Sequence, residues 1–197
     1  MVTFFRNAAP PWASRVLVGE RVRLRAPRQS DWASWAQVRA ESREFLAPWE
    51  PTWSADALTR TAFRRRLRRY QRDAREESGY AFVILGPSDE AILGGITLTN
   101  VRTGVARSCA VGYWMGKPYA RQGYMTDTIC ALLPFVFEGL RLHRLEAACI
   151  STNIASQKLL RRCGFCEEGL ARQYLRINGV WEDHLLFALL ASDPRGR

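Results

Sequence analysis

The alternation of apolar and polar positions along the chain predicts seven regions of strand. Val, Leu and Arg alternate over 16–26, which is typical of an opening strand with one solvated face. Three apolar runs follow at Tyr80–Leu85, Ile92–Asn100 and Ser108–Met115, separated by short turns such as Gly86–Asp89. Short turns join neighbouring antiparallel strands, so these three runs predict an antiparallel meander. Further strands are predicted at about Leu145–Ile150, Cys166–Ile177 and Val180–Leu190, the last two joined by the tight turn Asn178–Gly179.

Apolar residues that recur every three or four positions predict four helices. The third contains Pro134, which should kink it because proline lacks the backbone N–H of a helical hydrogen bond. The helices lie at about 30–48, 55–77, 125–140 and 155–162. The resulting order β-α-α-β-β-β-α-β-α-β-β predicts an α/β fold with a central mixed sheet.

The chain has 197 residues, of which 47% are hydrophobic and 24% charged, as expected for one globular domain. We expect a flexible N-terminal segment over 1–15, a single domain over 16–192 and a tail over 193–197. The longest uninterrupted apolar runs are far shorter than the roughly 20 residues of a membrane span. The first 30 residues contain no hydrophobic signal region, so we expect a cytoplasmic protein.

Five cysteines, an odd number set mostly in apolar segments, argue against a disulfide framework. Cys163 and Cys166 form a C-x-x-C pair, but the pair closes a helical pattern, whereas redox motifs of the thioredoxin type open one. A zinc site would need a second pair of ligands, and none has the required spacing. We therefore expect reduced packing thiols and no metal.

The formal net charge of +10 is concentrated in one predicted helix. Eight arginines and only one acid, Asp73, lie within Arg60–Arg75. The apolar seam of this helix is Phe63, Leu67, Tyr70 and Ala74. Two interpretations remain open: a solvated surface helix, or a helix that faces RNA or an acidic partner.

The segment Gly112–Thr126 runs from a strand through a loop with Gly123 into a helix. A helix N-terminus has unpaired N–H groups and partial positive charge, so it can bind an anion such as a diphosphate. A plain turn is the alternative. The two better-known phosphate-binding loops, G-x-x-x-x-G-K-[ST] and G-x-G-x-x-G, are absent.

Four separated motifs resemble the GNAT family of acyl-CoA-dependent N-acetyltransferases. Ala120–Met125 matches the central glycine of the family's acetyl-CoA loop, [QR]-x-x-G-x-[GA], but departs at both ends. Three further segments, Asn153–Phe165, Glu44–Pro51 and Tyr174–His184, resemble the branch that acetylates N-terminal alanine or serine of ribosomal proteins, the RimJ/RimL type. The resemblance covers about residues 16–191 and is closest to RimJ.

The resemblance implies a GNAT-type fold, with a mostly antiparallel mixed sheet flanked by helices, and acetyl-CoA as co-substrate. The diphosphate would lie on backbone N–H groups of 122–126, and the pantetheine arm would follow the strand edge near Trp114. Ala120 stands where the family has a basic residue, so the backbone would provide most of the anchoring. Asn153 would hold the cofactor or cap the following helix. The implied cofactor contacts are Trp114, Met115, Arg121, Gln122, Gly123, Tyr124, Met125, Thr126 and Asn153.

The implied reaction is attack of a neutral amine on a thioester. Glu50 is the leading candidate for the base and Glu44 the second, with an exposed loop carboxylate as the alternative. RimL-type enzymes have a glutamate where this chain has Leu175, so that base cannot be transferred. Many GNAT enzymes protonate the thiolate with a tyrosine, but none lies within 151–171. Ser156 is the candidate instead, with a plain helix-turn hydroxyl as the alternative.

Two histidines and two tryptophans are weaker candidates for the site. His143 and His184 fit structural or groove-lining roles better than that of a base. Trp49 and Trp53 are candidates for the wall of an acceptor groove, with core packing as the alternative.

The resemblance implies an enzyme that acetylates the N-terminal amine of a protein, specifically a ribosomal protein that begins with Ala or Ser. The arginine-rich helix would then be a ribosome-docking face. Two alternatives remain: a GNAT enzyme that acetylates a small-molecule amine such as an antibiotic, or an RNA-associated factor with secondary catalysis.

Overall fold

An eight-stranded sheet runs through the part of the chain that the structure describes, residues 11–87 and 91–195 of a computed structural model. The strand order is β1-β2-β3-β4-β5-β6-β8-β7, and six of the seven neighbouring pairs are antiparallel. The predicted α/β class with a mixed, mostly antiparallel sheet is therefore confirmed. The strands are β1 Val16–Val18, β2 Arg23–Arg25, β3 Tyr80–Leu85, β4 Ile92–Arg102, β5 Ser108–Met115, β6 Arg144–Ile150, β7 Cys166–Ile177 and β8 Val180–Leu190.

Helices cover both faces of this sheet. They are α1 Trp32–Glu41, α2 Arg43–Leu46, α3 Arg60–Arg75, α4 Tyr124–Pro134 and α5 Ile154–Arg162. The core on the α4 and α5 face includes Phe82 and Leu160, and the core on the α1 and α3 face includes Trp35 and Phe63. Burying each such side chain contributes about 1.5–3 kcal/mol, so both faces stabilise the sheet.

The prediction of one opening strand over 16–26 is wrong, because the chain reverses within that range. β1 and β2 pair antiparallel, and the Gly19 N–H donates to the Val22 carbonyl at 2.8 Å in the turn between them. Three apolar residues, Val16–Val18, precede the turn and the alternation of 21–26 follows it, so the interruption at Gly19–Arg21 was the available signal of a reversal.

The antiparallel meander of β3, β4 and β5 is confirmed. β5 and β6 then run parallel, but they pair only where Ser108–Ala110 faces Arg144–Glu146. Beyond this short ladder, β5 continues along β4 as far as Met115, and β6 continues along β8 as far as Ile150. The two strands therefore separate and leave a V-shaped opening in the middle of the sheet.

The arginine-rich helix α3 is shorter than its predicted range of 55–77. Thr59 caps its N-terminus, accepting a hydrogen bond from the Ala62 N–H at 3.2 Å. Its predicted apolar seam is confirmed, since Phe63, Leu67 and Ala74 are buried.

Pro134 lies at the C-terminal end of α4 rather than in the middle of a continuous helix. The chain widens into a single π turn over Phe135–Gly139, where the Leu140 N–H donates to the Phe135 carbonyl at 2.8 Å. The missing N–H of proline thus falls where the hydrogen-bond pattern changes, which explains its tolerance.

Part of the expected flexible N-terminal segment, 1–15, lies outside the described residues. Residues 11–14 form a short 3-10 helix, and Trp12 is buried in edge-to-face contact with Tyr80 and Phe82. This portion of the segment therefore packs against the sheet. The turn predicted at 86–89 also lies partly outside the described residues, and so does the end of the expected tail over 193–197.

Two further observations concern the whole described chain. No helix in 11–87 or 91–195 is long and apolar enough to cross a bilayer. All five cysteines are free: Cys163 is buried in the core, whereas Cys166 is exposed at the start of β7.

Candidate active site

A groove of about 1010 Å³ opens where β5 and β6 separate. The end of β5, the first turns of α4 and α5, and the β7–β8 hairpin form its walls. Beyond Ala110, no described strand pairs with the edge of β5 that faces this opening. An extended ligand with amide groups, such as a pantetheine arm, can therefore add to this edge as a further strand would.

The loop before α4 turns sharply toward the groove. Arg121 has φ of 62° and Gly123 has φ of 84°, both in the left-handed region. The φ of Gly123 favours glycine, and a Cβ atom there would lie 2.6 Å from Nη2 of Arg21 and displace that side chain. α4 begins at Tyr124, and the N–H groups of its first turn have no partner within the helix. This arrangement fits a diphosphate.

Arg21, between β1 and β2, holds this loop in place and was missed by the sequence analysis. Its Nε donates to Oδ2 of Asp127 at 2.8 Å, and its Nη1 donates to the carbonyl of Gln122 at 3.0 Å. Its guanidinium carbon lies 5.3 Å from the centre of the Tyr124 ring. Arg21 precedes Gln122 by 101 positions, so no local motif contains it. The guanidinium adds positive charge beside the N-terminus of α4.

Most residues that the resemblance assigned to acetyl-CoA surround the groove. Gln122 is the exception, because its side-chain amide donates to the Pro118 carbonyl at 2.7 Å and does not line the groove. The residues that do line it are Trp114, Met115, Arg121, Gly123, Tyr124, Met125, Thr126 and Asn153. The structure thus brings two distant segments, 114–126 and the start of α5, to one cavity.

Trp114 separates this groove from the opposite face of the sheet. A Cβ atom at Gly95 would lie 2.5 Å from the Trp114 Nε1, so the indole occupies the space above that glycine. The indole also contacts the cluster of apolar residues beneath α1 and α3. Trp114 therefore borders this groove and a second cleft on the other face.

At the start of α5, a hydrogen bond joins Asn153 and Ser156. Oδ1 of Asn153 accepts from the Ser156 N–H at 3.0 Å, which confirms the capping interpretation of Asn153. The Ser156 hydroxyl lies 2.7 Å from the Tyr113 hydroxyl, and either oxygen can donate. Burial raises the pKa of the Tyr113 hydroxyl, so it is protonated at neutral pH.

Tyr113 was missed because the sequence analysis looked for a tyrosine only near α5. The alternation in β5 was the available signal. It places Val111, Tyr113 and Met115 on one face, next to the opening of the sheet, as the packing of all three against the α4 and α5 core shows.

Glu50 lies in an ion pair with Arg39, a residue of α1. Oε1 of Glu50 accepts from Nη1 of Arg39 at 2.8 Å, and Oε2 accepts from Nη2 at 2.6 Å. Oε2 also accepts from Nε1 of Trp53 at 2.8 Å. The guanidinium carbon of Arg39 lies 4.2 Å from the ring centre of Trp53 and 4.7 Å from that of Trp114. Indole faces on two sides and a bidentate carboxylate fix the position of this guanidinium.

Arg39 is another residue that the sequence analysis missed. It is only 8% exposed, and its Nε has no hydrogen-bond partner among the described residues. An arginine four positions after Trp35, on the buried face of α1, was the available signal, because charged side chains are rarely buried without a partner.

The second cleft, of about 930 Å³, lies between α3 and the exposed surface of β4 and β5. Thr97 and Thr99 of β4 line one wall, and Arg65, Arg66 and Arg69 of α3 line the other. Glu50, Trp114 and three of their neighbours border both this cleft and the groove between β5 and β6. Two ligands that enter from opposite faces of the sheet can therefore meet beside Glu50.

The β7–β8 hairpin closes one end of the groove. The Asn178 N–H at its tip donates to the Glu50 carbonyl at 3.1 Å. His184 is buried, lines the groove, and has its Nδ1 2.9 Å from the Glu182 carbonyl. Trp49 also lines the groove.

The other candidates lie elsewhere. Glu44 is exposed on α2 and lines neither cavity, and His143 is exposed at the start of β6 and likewise lines neither. Within residues 11–87 and 91–195 there is no group of three or more His, Cys, Asp or Glu side chains that could hold a metal ion.

Comparisons with known proteins agree with this geometry. The Acetyltransferase (GNAT) domain family matches residues 21–166. The chain is 30% identical over 178 residues to the probable N-acetyltransferase YjcK of Bacillus subtilis, covering 90% of this chain and 98% of that protein. It is 31% identical over 177 residues to the [ribosomal protein uS5]-alanine N-acetyltransferase of Escherichia coli, covering 90% and 91%.

Among solved structures, Mycobacterium smegmatis RimJ in complex with CoA-disulfide matches with a TM-score of 0.82 and 34% identity. The match covers 90% of this chain and 85% of that one. The family match spans well over half of the chain, and the groove has the free strand edge and helix N-terminus that a CoA ligand needs. The chain therefore belongs to the GNAT family and is an acetyl-CoA-dependent N-acetyltransferase.

Proposed function

We propose that the acceptor is the N-terminal α-amine of a protein, specifically of a ribosomal protein that begins with alanine or serine. The observation that carries this proposal is the long second cleft, which meets the acetyl-CoA groove beside Glu50. From Gly95 to Thr99 its β4 wall extends about 13 Å, at about 3.3 Å per residue. A cleft of this length accommodates several residues of an extended polypeptide behind the reacting amine. The name of the E. coli relative supports an alanine-initiated ribosomal acceptor.

The cost of deprotonation also favours an α-amine over a lysine side chain. An α-amine has a pKa of about 7.7–8.0, so keeping it neutral at pH 7 costs about 1 kcal/mol. The corresponding cost for a lysine amine, with a pKa of about 10.4, exceeds about 4 kcal/mol. A site without a dedicated strong base can therefore acetylate an N-terminus.

Glu50 would receive the proton that the amine loses. In the reaction the amine nitrogen attacks the thioester carbonyl carbon of acetyl-CoA, a C–N bond forms, and the C–S bond breaks. A carboxylate has about four acceptor positions, of which Arg39 and Trp53 occupy three in Glu50. The remaining position can accept a hydrogen bond from a water that passes the amine proton to Glu50, and Arg39 keeps that position in place.

Ser156 would protonate the departing thiolate. Its hydroxyl lines the acetyl-CoA groove and lies 2.7 Å from the Tyr113 hydroxyl. Tyr113, which burial keeps protonated, can donate a hydrogen bond to the Ser156 oxygen and so leave the Ser156 hydroxyl hydrogen free for the sulfur. Ser156 then regains a proton from solvent and Glu50 releases the amine proton to solvent, so both groups return to their starting states.

The acceptor is tested with acetyl-CoA and two peptide pools, followed by mass spectrometry. One pool has free Ala or Ser N-termini and no lysine, and the other has blocked N-termini and contains lysine. Acetylation confined to the first pool is expected. Acetylation of the second pool, or of neither pool while acetyl-CoA still protects the protein against heat, contradicts the proposal and directs attention to small-molecule amines.

The base is tested by Glu50→Ala, with Glu44→Ala as the matched control because Glu44 lines neither cavity. Turnover of an Ala-initiated peptide should fall more at low pH than at high pH in Glu50→Ala, since the amine deprotonates unaided at high pH. Glu44→Ala should keep the wild-type profile. A pH–rate profile that is the same in both variants removes Glu50 as the base.

A further inference from the structure

The outward side of α3 carries arginines that acetyl transfer does not use. Three arginines of α3 line the second cleft, whereas the other five line neither cavity and are exposed. The guanidinium of one of these five, Arg60, lies over the Trp32 ring, which leaves four. The four recur at intervals of four, four and three residues, so they lie along one side of the helix. This outer arginine row consists of Arg64, Arg68, Arg72 and Arg75.

The outer arginine row is almost uncompensated by acids. Arg72 has an exposed ion pair with Asp73 at 3.3 Å, and exposed pairs of this kind contribute little. The other three members have no ion pair among the residues that the structure describes. At a rise of about 1.5 Å per residue, the row places four guanidinium groups along about 16 Å.

We propose that the outer arginine row binds the phosphodiester backbone of RNA. A guanidinium presents a planar fork of donors that matches two oxygens of one phosphate. The chemistry of the row is purely cationic: none of the exposed large apolar side chains of the described residues lies on α3. Stable protein–protein interfaces need an apolar or aromatic centre, so this face fits a polyanion better than an acidic protein.

The choice of RNA as the polyanion rests on the proposed function. The outer arginine row and the second cleft lie on two sides of α3, which is about 10–12 Å across with its side chains. When the N-terminus of a polypeptide enters the second cleft, the molecules bound to that polypeptide lie against α3. For a ribosomal protein those molecules are RNA, so the row would hold the enzyme where its acceptor is.

The test measures the binding of the full-length protein to a fluorescein-labelled RNA hairpin by anisotropy, over about 50–300 mM salt. The row variant is R64Q/R68Q/R72Q/R75Q, because glutamine removes charge but favours helix. The control variant is R28Q/R102Q/R141Q/R172Q, which removes four exposed arginines from elsewhere and gives the same net charge.

In the row variant, the slope of log K against log salt should become shallower by about 3, since each phosphate contact contributes about 0.7–0.9. The control variant should keep the wild-type slope. Both should acetylate a free Ala-initiated peptide at the wild-type rate, which shows that they are folded. If the row variant loses thermal stability, R64Q/R68Q replaces it, with about half the change in slope expected.

Equal losses in both four-arginine variants would show a general charge effect and overturn the proposal. So would binding of a glutamate-rich peptide as tight, and as dependent on the row, as that of RNA. Peptide acetylation without RNA binding leaves the proposed function standing and removes the RNA contact. RNA binding that depends on the row, without peptide acetylation, supports the RNA contact and contradicts the proposed function.

Discussion

Substituting Arg39 by methionine tests whether the Arg39–Glu50 pair acts as one unit. Methionine keeps an unbranched side chain against Trp53 and Trp114 but removes the positive charge and its donors. Glu50 then loses hydrogen bonds of 2.8 and 2.6 Å and keeps only the one from Trp53.

The expected loss in the free energy of unfolding follows from how deeply the Arg39–Glu50 pair is buried. Removing one partner of a buried ion pair costs about 3–5 kcal/mol. The Arg39 side chain is 10% exposed and the Glu50 side chain 20%, so water recovers part of the solvation of Glu50. We expect Arg39→Met and Glu50→Gln each to lower the free energy of unfolding by about 3 kcal/mol. The double variant, with neither charge left, should lose about 3–4 kcal/mol, so the coupling energy is about 2–3 kcal/mol.

Urea unfolding followed by tryptophan fluorescence measures these differences. A loss of about 3 kcal/mol corresponds to a fall of about 6–12 °C in Tm for a chain of this size. Arg43→Met is the matched control: Arg43 is exposed, lies 5.0 Å from the Trp53 ring, and has no ion pair among the described residues. Its effect should stay within about 0.5 kcal/mol.

Additive losses in the double variant, or a loss below about 1 kcal/mol in Arg39→Met, would refute this reasoning. The same variant addresses the positioning role. Arg39→Met should lower kcat for an Ala-initiated peptide and leave the KM for acetyl-CoA unchanged. Arg39→Lys should restore part of kcat, because one donor and the charge remain. A rise in the KM for acetyl-CoA would instead place Arg39 with the cofactor.

Three further predictions concern the groove and α4. Gly123→Ala should weaken acetyl-CoA binding, measured by thermal protection, because it strains a φ of 84° and displaces Arg21. Gly104→Ala, at a φ of 69° with open space around its Cβ, should leave acetyl-CoA binding unchanged. Tyr113→Phe should lower kcat at least about tenfold without changing the KM of the peptide, and an unchanged kcat would remove Tyr113 from the proton path. Cys130 is exposed, and a hydrogen bond with Cys163 lowers its pKa to about 7, so at pH 7.5 Cys130 should be alkylated faster in the wild type than in Cys163→Ala; equal rates would contradict this shift.

Local patterns in the sequence predicted most of the fold. The β3–β5 meander, the β7–β8 hairpin and the apolar seam of α3 depend on residues that are close in the sequence. For such elements, the spacing of apolar residues indicates which side chains are buried. The prediction failed over 16–26, because two short apolar segments were treated as one strand. The interruption at Gly19–Arg21 marks the turn between them.

The sequence by itself determined the fold class, the family and the segments that surround the cofactor groove, because contiguous motifs carry that information. Only the tertiary structure decided which side chains complete the site. Arg21 reaches Gln122 across 101 positions, and Tyr113 reaches Ser156 across 43. Such pairs depend on where β5 and β6 separate and on how the helices pack, and these are properties of the assembled sheet. No spacing within one segment encodes them.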